Sequence, residues 1–234
     1  MLNTFFATIL FLLLSASAVF GADKSSSNQP TYLVSGDAQL LTHFIDRGLS
    51  ISDQNPALNA SFLFNLGQQF RVGFWGSNIS NVTSTDDNLW LKVVADIKVE
   101  ISGSTKLIFY INDDHYYKSN LRNGQEVGTL IDTTGYFFQF EFFNNFQGTK
   151  TAGEYVKAGK KFPLGAYFTG TAAAGYTLQH SDNVYSNYLD GKATANYQLN
   201  QFLNIEGGVT TALGASGYGQ RASSFYYLGI KLSY

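Results

Sequence analysis

Three histidines, His43, His115 and His180, are the natural starting points for chemistry in this chain, because imidazole is the side chain that most readily acts as a base or metal ligand near neutral pH. They lie far apart and none sits in a ligand-spaced motif, so no metal site and no cofactor is expected. His43 and His180 could stand near one rim beside loop serines, which keeps open a barrel hydrolase acting on phospholipid or peptide, although neither belongs to a nucleophile motif. Asp86-Asp87 and Asp113-Asp114-His115 read as solvated acidic loop tips, with surface calcium as the sharper alternative. The glycine-rich run Gly214-Ala215-Ser216-Gly217-Tyr218-Gly219 follows a strand pattern but opens no helix, so a phosphate loop is unsupported. The leading expectation is therefore a protein that is not an enzyme.

The elements that would position any of these residues are strands. In the segment from Leu89 to Ile101, one face carries Leu89, Leu91, Val93, Ala95, Ile97, Val99 and Ile101, and the other carries Trp90, Lys92, Asp96, Lys98 and Glu100. Only a strand, whose successive side chains point to opposite sides, sorts them this way. The same parity recurs. Ala60, Phe62, Phe64 and Leu66 share a face; Phe70, Val72 and Phe74 oppose Arg71 and Trp75; Tyr136, Phe138, Phe140 and Phe142 oppose Gln139 and Glu141; Leu203, Ile205 and Val209 oppose Asn204 and Glu206.

Short turns are placed near Gly67, Gly103, Asn144-Asn145, Pro163-Leu164-Gly165 and Asn200-Gln201, and long polar loops at about 48–55, 77–88, 113–133, 178–186 and 212–223. This rhythm predicts an all-β, transmembrane, antiparallel up-and-down β-barrel of about 12 strands, or about 10 if the first half of 146–162 is loop, with both termini periplasmic. Residues 1–21, with the apolar run Phe5 to Leu14, read as a cleaved signal peptide, 22–34 as a flexible periplasmic leader and 35–234 as the barrel. Charged residues make up 14% of the chain against 16% aromatic, too few for a surface wholly in water, and no basic run suits nucleic acid. The absence of cysteine excludes disulfides and thiolate metal sites.

Alternation alone also fits a soluble exported lipocalin-like barrel with a ligand inside. Aromatics on the apolar face beside the short turns, Phe70, Phe142, Phe162, Tyr197 and Tyr234, favour a girdle at a membrane interface. The lumen would then be lined by Arg71, Lys92, Lys98, Lys106, Lys157, Lys161, Lys192 and Lys231 against Asp96, Glu100, Glu141, Asp190 and Glu206, and the excess of cations would give at most a weak preference for anions. On the outer face, Gly170, Ala172 and Ala174 with Gly191, Ala193 and Ala195 form a small-residue patch suited to self-association or ordered lipid. The final strand, Tyr226, Leu228, Ile230, Leu232 and the terminal Tyr234, has the form by which the barrel assembly machinery recognises its clients. The expected partners are thus outer-membrane lipid, that machinery and a second copy of the chain.

Phe44-Ile45-Asp46-Arg47-Gly48-Leu49-Ser50-Ile51-Ser52-Asp53-Gln54-Asn55-Pro56-Ala57-Leu58, followed by Gly73-Phe74-Trp75-Gly76-Ser77-Asn78, resembles the Gcw_chp family of exported proteobacterial proteins. The chain is also similar to porin-like outer-membrane proteins of predatory bacteria. The resemblance implies a small outer-membrane barrel of porin-like or unknown function and supplies no catalytic residues. In physical terms, Arg47 and Gly48 are expected to end the first strand, with Trp75 turned inward near the same rim.

Overall fold

Side chains that alternate between apolar and polar along an extended segment give a strand two unlike faces, which a sheet closed on itself can turn outward and inward. The structure, a computed structural model, describes residues 33–80, 87–147, 150–180 and 187–234. The proposed signal peptide and most of the leader lie outside the described residues. In chain order the strands are β1 (Leu33–Leu41), β2 (Ile45–Asp46), β3 (Leu49–Ser50), β4 (Ala57–Leu66), β5 (Phe70–Asn78), β6 (Leu89–Ser102) and β7 (Thr105–Tyr116). They continue with β8 (Gly124–Thr133), β9 (Tyr136–Phe143), β10 (Gly153–Pro163), β11 (Phe168–Gln179), β12 (Tyr188–Gln198), β13 (Leu203–Leu213) and β14 (Phe225–Ser233). All except β2 and β3 form one closed antiparallel barrel of twelve strands, with β14 returning to β1.

Closure pairs every strand on both sides, which a wall in hydrocarbon requires because water is not there to satisfy a free edge. The seam is made by the last residues. Asp37 faces Ser233 and Leu41 faces Gly229, and Gly36 and Tyr234 exchange two backbone hydrogen bonds of 3.1 Å. A Cβ on Gly36 would lie 2.6 Å from the Tyr234 hydroxyl, so the terminal ring closes over a residue that must lack a side chain.

The outward rows are apolar. Phe62, Phe64 and Leu66 on β4, Leu91 and Val93 on β6, Phe138, Phe140 and Phe142 on β9, and Leu228, Ile230 and Leu232 on β14 are all at least 40% exposed, whereas Glu126, Glu141 and Asp190 are shut inside. A soluble lipocalin-like barrel would have the opposite polarity, with an apolar interior and a charged surface, so the outer wall is built for lipid. Val93→Arg, which sets a guanidinium midway along the outer row of β6, is expected to cost about 2–4 kcal/mol of stability in phospholipid bilayers. Reversible denaturant unfolding in vesicles, compared with wild type, measures it.

Two expectations about connections need correction. The region 113–133 is not a loop: β7 runs to Tyr116 and β8 occupies Gly124–Thr133. The outward row of β8 is Gln125, Val127, Thr129 and Ile131 and its inner row includes Gly128 and Leu130, so the contrast that marks a strand is blurred there. The short turn follows at Thr134-Gly135, and Asn144-Asn145 belongs to the opposite, long-loop end, where Asn145 Nδ2 donates to the carbonyls of Leu121 and Asn123 at 2.8 Å. Phe142 consequently leaves the girdle at the short-turn end. Tyr136 opens the same strand at that end instead, alongside Phe168, whose ring stacks on Tyr197 at 4.6 Å.

Candidate functional site in the lumen

The connection between β1 and β4 does not extend from the rim; it turns back into the barrel. β2 and β3 pair as Ile45 with Ser50 and Asp46 with Leu49, around a two-residue turn in which both Arg47 (φ 46°) and Gly48 (φ 76°) have positive φ. A tight hairpin of this twist requires left-handed backbone at both central positions, unfavourable for arginine and routine for glycine. Arg47 and Gly48 therefore do not end strand one, which stops at Leu41; they form the tip of an inserted hairpin.

Its side chains explain why the hairpin stays inside. Leu49, fully buried, joins Phe143, Phe146, Tyr155, Tyr188 and Tyr218 on one side, and Ile51, equally buried, joins Ile79, Trp90 and Tyr116 on the other. Trp75 points inward at this level and packs against Phe44 and Trp90. At the tip, the Arg47 guanidinium donates to Glu126 at 2.6 Å and to Glu141, and lies 5.2 Å from the ring centre of Phe143. Lys92 completes the cluster, reaching Glu126 at 2.6 Å and Asp114 at 3.3 Å. Tyr110 Oη donates to Glu141 at 2.6 Å, and Asn112 Nδ2 to Glu126 at 3.1 Å. Buried carboxylates are tolerable only when opposite charge and donors surround them in this way. The hairpin thereby narrows the lumen at its long-loop end.

Below it, towards the short turns, is a cavity of about 200 Å³ whose lining includes Gln39, Arg47, Lys157, Asp190, Lys192 and Glu206. Lys192 approaches Glu206 at 3.7 Å, and Asp190 accepts from Tyr155 Oη at 3.2 Å. Lys157 makes no ion pair among the described residues, and its amine lies 5.8 Å from the Phe137 ring centre. Deeper along the inner face, Arg71 bonds Asp96 at 2.9 Å, Lys98 meets Glu100 at 3.4 Å, Lys161 meets Asp132 at 3.1 Å and Lys231 meets Asp37 at 3.4 Å.

Sequence reasoning overlooked Asp37, Asp114, Glu126 and Asp132 as inner-face groups, and they remove the excess of cations it assigned to the lumen. Asp114 is no loop tip: it lies in β7 facing inward, accepting from Trp90 Nε1 at 3.1 Å. Asp87 is likewise fully buried, its Oδ1 accepting from the backbone amides of Lys118 and Ser119. Asp86 lies outside the described residues, and no metal-ligating cluster occurs among the described residues. The glycine-rich run leads into a 3-10 segment, Ser216–Ala222, broken at Gly219.

The histidines do not converge. His180 faces Glu154 at 2.8 Å and His115 faces Asp113 at 2.8 Å, both exposed. His43 Nε2 lies 2.6 Å from Ser50 Oγ, but both residues are buried, and the ring packs edge-on against Phe225. Burial pushes the His43 pKa below its ordinary value, against a smaller upward pull from Asp53. A histidine kept neutral by the fold contributes stability above the pKa of the unfolded chain, near 6.5, and that contribution is lost as pH falls through the lower folded value. Thermal unfolding in detergent at pH 7.5 and pH 5 is expected to show an acid loss that His43→Gln reduces.

On the outer wall, Gly170 faces Ala195, Ala172 faces Ala193 and Ala174 faces Gly191. The ring of Phe162 covers Gly170, where a Cβ would come within 2.4 Å of it, so the open part of the patch is centred on the four alanines. Tyr226, Leu228, Ile230, Leu232 and Tyr234 all point outward and are exposed.

No family model matches the sequence, so none stands behind the likeness to the Gcw_chp family, and no curated protein matches it either. Solved structures do. The chain is similar to the KdgM porin, with a TM-score of 0.60 at 9% identity over 86% of this chain and 99% of that one. It is similar to the NanC porin, with a TM-score of 0.56 at 7% identity over 86% and 99%. It is also similar to the COG4313 outer membrane channel from Pseudomonas putida F1, with a TM-score of 0.54 at 9% identity over 91% and 100%. The fold is that of porin-like outer-membrane barrels.

Proposed function

We propose that the protein is a porin-like channel of the bacterial outer membrane, not an enzyme, exported by a cleaved signal peptide and oriented with its long loops outward and both termini periplasmic. The observation that carries this reading is a closed barrel, apolar outside and charged inside, whose lumen is narrowed by an inserted hairpin and holds a charged cavity of about 200 Å³ beside it. A wall of twelve strands is intermediate between small barrels filled by side chains and the wide aqueous porins, so the hairpin sets what passes. Small polar solutes and ions are the natural cargo of a passage lined by paired lysines and carboxylates. Because those charges are balanced, little discrimination between anions and cations is expected.

Planar-bilayer recording tests both points. Wild-type protein is expected to conduct in small steps, with a reversal potential near zero under a KCl gradient. Complete absence of conductance in wild type and in hairpin variants alike would remove the channel reading. The alanine patch of β11 and β12 supports self-association or an ordered lipid, and the β14 row supports recognition by the assembly machinery. Native mass spectrometry from mild detergent that finds monomer alone, with no retained lipid, would eliminate the role of the patch.

A further inference from the structure

At the long-loop end, away from the lumen cavity, a cation is buried with no hydrogen-bond partner among the described residues. Arg122 closes the 3-10 turn Asn120–Arg122 and is 2% exposed. Its guanidinium carbon lies 4.4 Å from the ring centre of Tyr116, yet Nε and both terminal nitrogens are buried without a hydrogen-bond partner among the described residues. An arginine sealed from water with all its donors idle is costly, and native interiors rarely leave such groups unsatisfied.

A second guanidinium is anchored on the backbone of Ser50, next to Ile51, whose side chain packs in one cluster with Tyr116, the ring that Arg122 covers. Arg221, 9% exposed, donates from Nε to the Ser50 carbonyl at 3.0 Å and from a terminal nitrogen to Gln147 Oε1. Burial first, and next the charge of Arg122, push the Arg221 pKa down to about 10. The side-chain amide nitrogen of Gln147 is itself buried and idle. Arg122 and Gln147 thus leave only donors unused, beside two positive charges. The nearby carboxylate, Asp87, uses Oδ1 on backbone amides, leaves Oδ2 without a partner and forms no ion pair with Arg122.

We infer that Arg122, Arg221 and the Gln147 amide form a binding site for a small oxyanion from solution, a sulfate, phosphate or carboxylate group, held among the long loops against the base of the inserted hairpin. A planar fork of donors suits a multi-oxygen anion, and charge-assisted bonds of this kind are the stronger ones. Such an anion would neutralise the repulsion between the two guanidinium groups. The inference is independent of whether the lumen conducts.

Isothermal titration calorimetry tests it on the full mature protein in detergent, with sodium sulfate and, separately, sodium acetate as probes at constant ionic strength. Saturable one-site binding of at least one probe is expected. Arg122→Gln should weaken it about tenfold or more, and Arg122→Lys, which keeps the charge without the fork, should weaken it less. Unchanged heat-modifiable gel migration establishes that the variants are folded. The inference is overturned if wild type binds neither probe saturably, a result that needs no variant, or if Arg122→Gln binds as wild type does. Binding that appears only in Asp87→Asn also overturns it, since the carboxylate would then be the arginine's own partner.

Discussion

Arg47→Ala is expected to increase single-channel conductance several-fold and to destabilise the folded barrel at the same time. The substitution leaves Glu126 and Glu141 facing each other inside the wall with Lys92 as the remaining cation beside them. Removing one partner from a buried ion cluster costs about 3–5 kcal/mol, because the opposite charges stay behind without compensation. Leu49 and Ile51 still favour the inserted position, so the hairpin should detach intermittently, visible as noisy transitions to a larger open level. Adding Glu126→Gln and Glu141→Gln to Arg47→Ala separates the two effects. Stability should return in part, because Lys92 keeps Asp114 as its partner and only Asp46 is left without its cation, while the conductance stays high because the tether is still missing. A conductance identical to wild type in Arg47→Ala would show that the hairpin does not limit the passage.

Gly48→Val should disturb the same hairpin through its backbone. At φ of 76° a β-branched residue is strongly disfavoured, and a Cβ there would stand 2.6 Å from the Cβ of Asp190 on β12. Neither wall nor hairpin can yield easily, since Asp190 is fixed in a central strand pairing with Ala212 and Gly175. The expected result is expulsion of the hairpin, with a thermal midpoint well below wild type and a conductance at least as large as that of Arg47→Ala. Gly48→Ala combined with Asp190→Gly relieves the contact but keeps the unfavourable φ, so it should recover only part of the loss. Full recovery would mean that contact alone, not backbone conformation, makes glycine necessary.

How much of this was legible varies from strand to strand. β6 and β14 could be read residue by residue because their outward rows are uniformly apolar and their inward rows carry most of the polar groups, with Val94 and Phe225 as exceptions, so the period of two stands out. β8 could not, because threonine and glutamine share its outer row and leucine and glycine its inner one; Glu126, the centre of the ion cluster, was hidden with it. The hairpin tip was legible in principle, since Ile45 and Leu49-Ser50-Ile51 flank a turn ending in glycine. An arginine at the other central position concealed the turn type, because arginine seldom takes left-handed backbone.

Side-chain parity and the sparse charge were properties of the chain taken locally, and they were enough to read a barrel wall with an apolar and a polar face and to favour lipid on the apolar one. Tertiary structure alone decided that the first long connection enters the lumen, that Arg47 reaches carboxylates roughly eighty to ninety-five positions away in the chain, and that Arg122 is sealed beside Arg221. The physical reason is that facing lipid is a choice each residue makes with its nearest neighbours in a strand, whereas filling a cylinder depends on which distant loops happen to share its interior, and burial there assigns partners that no local pattern encodes.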